Sequence, residues 1–298
     1  GGPGGRGSGR SAGCGFPAAT LGVAGGAGRA GRAAYPRATA QRLTPPLLPP
    51  AGREWAAGVP RVLPRPDDAQ PVLLRPAQEA NKLLDLKTNI LASAGLLEEG
   101  VDVETQFEQI SVKLVDMETG RYTNAVDSAT YDQRKASSDP ALSVALSSSE
   151  DIAKIKRRAN FSKVYIVENA LGLEKVILPI KGYGLWSTLY GFIALESDLK
   201  TVAGIGFYEH TETPGLGGEV DNPKWKASWV GKSAYDGDVL ALEVIKGKVD
   251  TSRDGAEYQI DGLAGATLTT RGVDNLIKYW LGDQGFKSFI ENLKTGEA

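Results

Sequence analysis

The sequence contains almost none of the side chains that most often bind metal ions or pair as nucleophile and base. Its 298 residues include one cysteine, Cys14, and one histidine, His210. A single cysteine excludes an internal disulfide and a cysteine-based metal cluster, and a single histidine excludes a multi-histidine site. We therefore expect no metal site and no Cys-His dyad, and at most one Ser-His-Asp arrangement is possible. A structural or surface role is favoured for His210.

Two further absences concern partners. Lysine and arginine number 34 against 36 aspartates and glutamates, so there is no global basic field to attract nucleic acid. No stretch approaches the roughly 18 consecutive apolar residues that cross a bilayer. The longest apolar runs, such as LYGFIAL at 189–195, are typical of buried strands. The sequence as written predicts no nucleic-acid partner, no membrane span and no signal peptide.

The N-terminal segment differs in composition from the rest. Residues 1–66 are rich in Gly, Ala, Pro and Arg, contain no lysine, and include one acidic residue, Glu54. Such a segment buries too little apolar surface to offset its ordering entropy, so we predict that residues 1–70 are disordered. The scattered arginines do not form the runs of a binding tail, which is the alternative. A start at Gly1, with Met117 as the only methionine, favours a non-native or gene-model origin.

Residues 71–298 are predicted to form one domain. Apolar runs bounded by turn residues indicate short strands. Pro76 and Gly95 indicate the start and the end of a first helix. Strands and helices follow in mixed order without βαβ alternation, so we predict an α+β fold with a mostly antiparallel sheet flanked by helices. The predicted strands are 110–116, 163–169, 174–180, 188–196, 201–209 and 238–245. The predicted helices are 75–95, 147–159, 221–231 and 273–281.

A turn of small residues leads into the last helix, in the sequence AGATLTTRGVDNLIKYWL. Gly265 permits close approach of the backbone to a ligand or a neighbouring strand. We expect the helix to open near 269–272, so free N–H groups and the positive dipole end would face Thr269 and Thr270, as an anion site requires. A plain threonine N-cap is the alternative. The Lys-Ser/Thr pair of a P-loop is absent.

Two glycine-rich segments could form the walls of a ligand site. The first, YEHTETPGLGGEVDNPKW at 208–225, places Glu212 and Thr213 beside a turn rich in proline and glycine. The second, KGYGLWSTLYGF at 181–192, contains Trp186, which could stack on a planar ring. An ordinary long turn and core aromatic residues are the respective alternatives.

Three blocks together resemble a known family. Residues 72–97, 184–232 and 261–281 resemble, in family order, the C subunit of bacterial sodium-translocating NADH:quinone oxidoreductases. ETPGLG and GATxT are each suggestive, and their combination with an upstream GLWS is specific. The NILxxAGL block and LWSTLYG with VDNPKW distinguish this resemblance from the related G subunit of Rnf electron-transport complexes.

The resemblance implies FMN bound through a phosphoester to the second threonine of a [S/T]GATxT motif. Gly265, Ala266 and Thr267 match GAT, and Thr269 matches the attachment residue, whereas Ala264 replaces the usual Ser or Thr. The flavin would relay electrons within a complex, so the chain would have no catalytic residue and no activity alone. The further contacts that we expect around the flavin are Trp186, Thr188, Glu212, Thr213 and Leu216.

The resemblance also implies partners and a location. The partners are the other subunits of a membrane NADH:quinone oxidoreductase and a flavin transferase that installs FMN from FAD. Family members carry a membrane helix where this chain has only PVLL at 71–74, so we expect a domain facing the periplasm at the bacterial inner membrane, with its anchor absent from this chain. An FMN-carrying G-type subunit of an Rnf complex and a non-redox scaffold domain are the alternatives.

Overall fold

The computed structural model describes Gly1, Gly2 and residues 66–298, with side chains in the first helix from residue 77 onward. The chain divides into two units, Gly1–Arg61 and Val62–Ala298, and the fold lies in the second. The prediction of disorder for residues 1–70 therefore falls mostly outside the described residues. Residues 66–70 are helical.

A six-stranded sheet organises the second unit, and all its neighbouring strands are antiparallel. Its strand order is β2-β1-β5-β6-β7-β8. The strands are β1 (Ile110–Asp116), β2 (Arg121–Tyr122), β3 (Ser143–Ala145), β4 (Arg157–Ala159), β5 (Phe161–Asn169), β6 (Gly172–Tyr183), β7 (Thr188–Glu196), β8 (Val202–Glu209), β9 (Tyr235–Asp236), β10 (Val239–Leu240), β11 (Glu243–Val244) and β12 (Gln259–Ile260). The helices are α1 (Pro66–Ser93), α2 (Val103–Phe107), α3 (Gln133–Ser138), α4 (Pro223–Ala227), α5 (Thr267–Trp280) and α6 (Lys287–Thr295), with 3₁₀ turns at Gly217–Asp221 and Ala256–Tyr258. The predicted α+β architecture is confirmed.

Helices cover both faces of this sheet. Along β6, Leu178 and Ile180 pack in the larger core with α5, whereas Ile177 packs in a second core with Ile90 and Leu91 of α1. Side chains of a strand alternate between the two faces, so a sheet covered on both sides requires strands that are apolar throughout. This explains why the central strands appear in the sequence as continuous apolar runs.

Helix α1 is longer than predicted. It begins at Pro66, nine residues before the predicted start, and ends at Ser93, and Gly95 adopts a left-handed φ of +68°. Proline is favoured in a first turn, which is why Pro76 indicated a start near residue 75. Among the residues that the structure describes, no helix combines the length and hydropathy that a bilayer span needs.

The helix predicted at 147–159 is wrong. Glu150 accepts hydrogen bonds from the backbone N–H and hydroxyl of Ser147, and Asp151 accepts from the N–H groups of Ile155 and Lys156. These local side-chain bonds offer the backbone an alternative to a helical ladder, so the segment folds as turns that lead into β4. The predicted strand at 238–245 is likewise reduced to the short strands β10 and β11.

Candidate functional site

Helix α5 begins with an uncapped first turn. Ala266 occupies the N-cap position and provides no side-chain hydrogen bond, and the helix starts at Thr267. Thr269 is thus the third helical residue, and the alternative of a threonine N-cap is wrong. Gly265 enters the turn at φ +73°. Because no side chain caps this end, the first backbone N–H groups of the helix stay available to an anion.

The threonines of this turn have different environments. Thr267 is exposed. The Thr270 hydroxyl donates to the Ala266 carbonyl and accepts from the Leu263 N–H, both at 3.0 Å, so it ties the turn together. The Thr269 hydroxyl, which is fully buried, donates to Glu212 Oε2 at 2.8 Å. Thr269 is therefore the threonine that connects α5 to a distant segment.

Glu212 joins three parts of the chain through its carboxylate. Oε2 accepts from Thr269, and Oε1 accepts from the backbone N–H groups of Leu185, Trp186 and Ser187 at 3.0, 2.9 and 3.1 Å. Burial raises the pKa of this carboxyl, but these hydrogen bonds together outweigh burial and hold the pKa below its usual 4.5. Glu212 is therefore a buried, ionised group at neutral pH.

Glycines allow these segments to meet. A Cβ atom at Gly184 would lie 2.6 Å from Glu212 Oε1, and one at Gly217 would lie 2.6 Å from Thr269 Oγ1. Inside α5, a Cβ at Gly272 would lie 2.5 Å from the Tyr183 carbonyl oxygen. Any larger residue at these positions would push apart the β6–β7 hairpin tip (residues 184–187), the Glu212 carboxylate and helix α5.

His210 and Ser187 accept hydrogen bonds from the backbone next to the Glu212 carboxylate. His210 Nδ1 accepts from the Glu212 N–H at 3.3 Å, and His210 Nε2 lies 2.7 Å from Asp221 Oδ2. The Ser187 hydroxyl accepts from the Thr211 N–H at 2.8 Å. Since Nδ1 is the acceptor, Nε2 carries the proton and donates to Asp221. His210 thus positions the backbone that leads to Glu212.

Three segments that meet at Glu212 and the first turn of α5 bear exposed apolar side chains. Trp186 has 65% of its surface exposed, Leu268 53% and Leu216 44%. Trp186 donates its backbone N–H to Glu212, Leu268 precedes Thr269, and Leu216 lies over Gly265 at 3.0 Å from the position of a Cβ. The site therefore has an open apolar surface beside the first turn of α5.

The remaining expected residues lie near this centre without bonding to it. Thr188 begins β7 and pairs with Tyr183, and the Thr213 carbonyl accepts from the N–H groups of Leu216 and Gly218. Ala264 is exposed in the turn before α5.

Sequence reasoning missed several contributors. The N–H groups of Leu185 and Ser187 and the close approaches of Gly217 and Gly272 were not predicted. Gly272 left a usable signal, because glycine inside an amphipathic helix costs about 1 kcal/mol relative to alanine and implies a packing reason. The backbone N–H contacts left none, since any residue other than proline supplies an N–H.

This chain is similar to a family profile and to several known proteins. A family profile described as the FMN-binding domain matches residues 184–282, a range that holds the hairpin tip, Glu212 and Thr269. The chain is 57% identical over 233 residues to the C subunit of the Na(+)-translocating NADH-quinone reductase of Pseudomonas aeruginosa, covering 76% of this chain and 89% of the relative. It is 47% identical over 225 residues to the corresponding protein of Vibrio vulnificus, covering 75% and 87% respectively.

Two solved structures share the fold. The crystal structure of Shewanella oneidensis NqrC superposes with a TM-score of 0.66 at 35% identity, over 72% of this chain and 99% of that chain. The crystal structure of the Na(+)-translocating NADH-quinone reductase C subunit from Parabacteroides distasonis gives a TM-score of 0.57 at 26% identity, over 73% and 96%.

Proposed function

The chain belongs to the family formed by the C subunits of Na(+)-translocating NADH-quinone reductases, and we propose that it relays electrons in such a complex through FMN carried as a phosphoester on Thr269. One observation carries this proposal. Within the range matched by the FMN-binding domain, Thr269 is the threonine that lies in the first turn of α5 and contacts the hairpin tip through Glu212.

The residues around Thr269 fit a phosphate that bears a planar ring. The uncapped first turn of α5 supplies N–H donors and the positive end of the helix dipole. Trp186, Leu216 and Leu268 supply exposed apolar surface for the ring. When bound, FMN supplies the redox chemistry, and the chain supplies position and electrostatics. No side chain therefore needs a catalytic role.

Glu212 has to respond when Thr269 is modified. A phosphoester replaces the hydroxyl hydrogen, so Glu212 Oε2 loses its donor and faces a second anion. Two anions at hydrogen-bond distance in a buried site repel strongly. We expect Glu212 either to take up a proton or to turn its carboxylate away from Thr269.

The loop at 213–218, which covers the Thr269 hydroxyl, also has to open. Thr269 is fully buried, and Gly217 backs directly onto its hydroxyl. A flavin transferase can reach this oxygen only after the segment 213–218 moves. Gly215, at φ +74° with open space around it, provides a flexible point in that segment.

The proposal extends to the partners and the setting of the domain. We propose residues 71–298 as the FMN-carrying domain, with the other subunits of the complex and a flavin transferase as its partners. The family resemblance supports a periplasmic orientation at the inner membrane.

The test is modification in cells that also express a flavin transferase. We expect mass spectrometry to find FMN on the peptide that contains Thr269, and Thr269→Val to abolish it. Thr267→Val is the matched control, because this neighbour is exposed and makes no contact with Glu212. Flavin retained in Thr269→Val would contradict the site, whatever the result for Thr267→Val. No modification of any variant would favour the scaffold alternative.

A further inference from the structure

A cavity of about 800 Å³ lies on the sheet face that carries α1. It is bounded by α1, the segment 129–135, strands β5 to β8 and Trp280 of α5. Its lining includes none of Glu212, Trp186 and Thr269, so the cavity is distinct from the Thr269 site. It is therefore a second concave surface, mostly on the sheet face that carries α1.

Aromatic rings from three strands form its floor. Phe192 and Tyr208 are stacked with ring centroids 5.3 Å apart, and Tyr165 meets Phe192 edge-on at 5.7 Å. The Arg134 guanidinium lies over two of the rings, 3.8 Å from the Tyr190 centroid and 5.5 Å from the Tyr208 centroid. Tyr165 and Phe192 are buried, so the surface open to a ligand is formed by the half-buried Tyr190 and Tyr208 together with Arg134, on which another planar ring can pack.

Two ammonium groups line the cavity without a counter-ion. Lys163 of β5 and Lys181 of β6 form no ion pair and donate no side-chain hydrogen bond among the described residues. Burial, with a smaller contribution from Arg134, lowers the pKa of Lys181 to about 8, and burial also lowers the pKa of Lys163. Keeping these buried ammonium groups charged therefore costs free energy in the unbound cavity, and a bound anion would reduce that cost.

Two of the other cations at the cavity form ion pairs. Arg134 pairs with Glu209 at 2.9 Å, and Lys135 pairs with Asp132 at 3.2 Å. On α1, Lys82 and the two carboxylates Glu79 and Asp85 also line the cavity. Asp151 raises the pKa of Lys181, and Asp132 and Asp127 raise that of Lys163, in each case less than burial lowers it. Five cations and four carboxylates line the cavity, so one net positive charge is left to a ligand, beside Lys163 and Lys181.

We propose that this cavity binds a small planar aromatic acid, with its ring on the aromatic floor and its carboxylate paired with Lys163 and Lys181. A neutral ring would leave the two ammonium groups unpaired, and a simple inorganic anion would leave the floor uncovered. The volume is within the range of small-molecule sites, roughly 300–1,000 Å³. This inference does not depend on FMN at Thr269.

Calorimetric titration with 2-naphthoate tests the proposal on the whole chain. We expect saturable binding of one equivalent at pH 7, and binding at least about tenfold weaker for neutral 2-naphthol and for inorganic phosphate. Lys181→Met should weaken naphthoate binding at least about tenfold. Lys175→Met is the matched control and should leave binding unchanged, because Lys175 lies on the same strand and face but pairs with Glu196 at 3.0 Å, well away from the cavity.

Proton uptake provides an independent readout. At pH 8.5 most Lys181 side chains are neutral, so pairing with a carboxylate should take up roughly half a proton or more, measured in buffers of different ionisation enthalpy. Lys181→Arg should keep the binding and lose the uptake. Absence of saturable binding, equal binding of 2-naphthol, or undiminished binding by a Lys181→Met variant with an unchanged circular dichroism spectrum would each overturn the proposal.

Discussion

Gly272→Ala should destabilise the protein although helix propensity predicts the opposite. Gly272 lies inside α5, where alanine is intrinsically favoured over glycine by about 1 kcal/mol. The added Cβ would, however, lie 2.5 Å from the Tyr183 carbonyl oxygen and 2.9 Å from the Gly184 Cα. Both atoms belong to the backbone, so neither can rotate away as a side chain could.

The magnitude follows from these two opposing effects. Overpacking a core position costs about 1–3 kcal/mol, and rigid backbone neighbours place this contact near the upper limit. After subtracting the propensity gain of about 1 kcal/mol, we expect a net loss of about 2 kcal/mol. For a domain of this size that loss lowers Tm by about 4–8 °C.

Thermal unfolding followed by circular dichroism measures this difference. Asn275→Ala is the matched control, since it exchanges a half-buried residue of the same helix and should raise stability by a few tenths of a kcal/mol. A Gly272→Ala variant that gained stability in the same way would refute the close approach of α5 to the hairpin tip.

Three further predictions concern individual side chains. Thr270→Val should cost about 1–3 kcal/mol in urea unfolding, because it leaves the buried Leu263 N–H without an acceptor, yet it should not prevent modification of Thr269. Glu212→Gln should weaken the fall in the free energy of unfolding as the pH is lowered from 5 to 3. The stabilisation from a lowered carboxyl pKa is present above about pH 4.5 and is lost as the pH falls through the folded value, so an unchanged fall would contradict the Glu212 contacts. Lys181 has its pKa lowered to about 8, so its charged form penalises the native state below that pH, and stability should rise from pH 8 towards 10. Lys181→Met should raise the free energy of unfolding at pH 7 and remove that rise, and a loss of stability at pH 7 would show that the ammonium has a partner.

Five of the six strands of the sheet could be predicted because they are apolar runs that end at turn residues, whereas the two-residue strand β2 was not predicted. β1 and β7 have the predicted bounds, and the predictions for β5, β6 and β8 differ from the structure by at most three residues at either end. These signals are local, since alternation, burial on both faces and turn chemistry all act within a few residues. The family resemblance rested on similar local blocks and is confirmed by the relatives.

The centre of the site could not be predicted in the same way. Glu212 and Thr269 are 57 positions apart, and their hydrogen bond depends on how closely α5 packs against the end of β6. No local pattern encodes that distance. The start of α5 was also misjudged, because the helix begins two residues before Thr269 without the side-chain cap that usually indicates an N-terminus.

The two hairpins that share β6 should differ in their tolerance to inserted residues. The β6–β7 tip, residues 184–187, directs three consecutive N–H groups at one carboxylate, so one added residue would misdirect them. The β5–β6 tip bears Leu171, which is 97% exposed and contacts no part of the site. Because the 12 residues of β6 separate the two tips by roughly 35–40 Å, a fluorophore or an affinity tag inserted at Leu171 would report on the protein without disturbing its site.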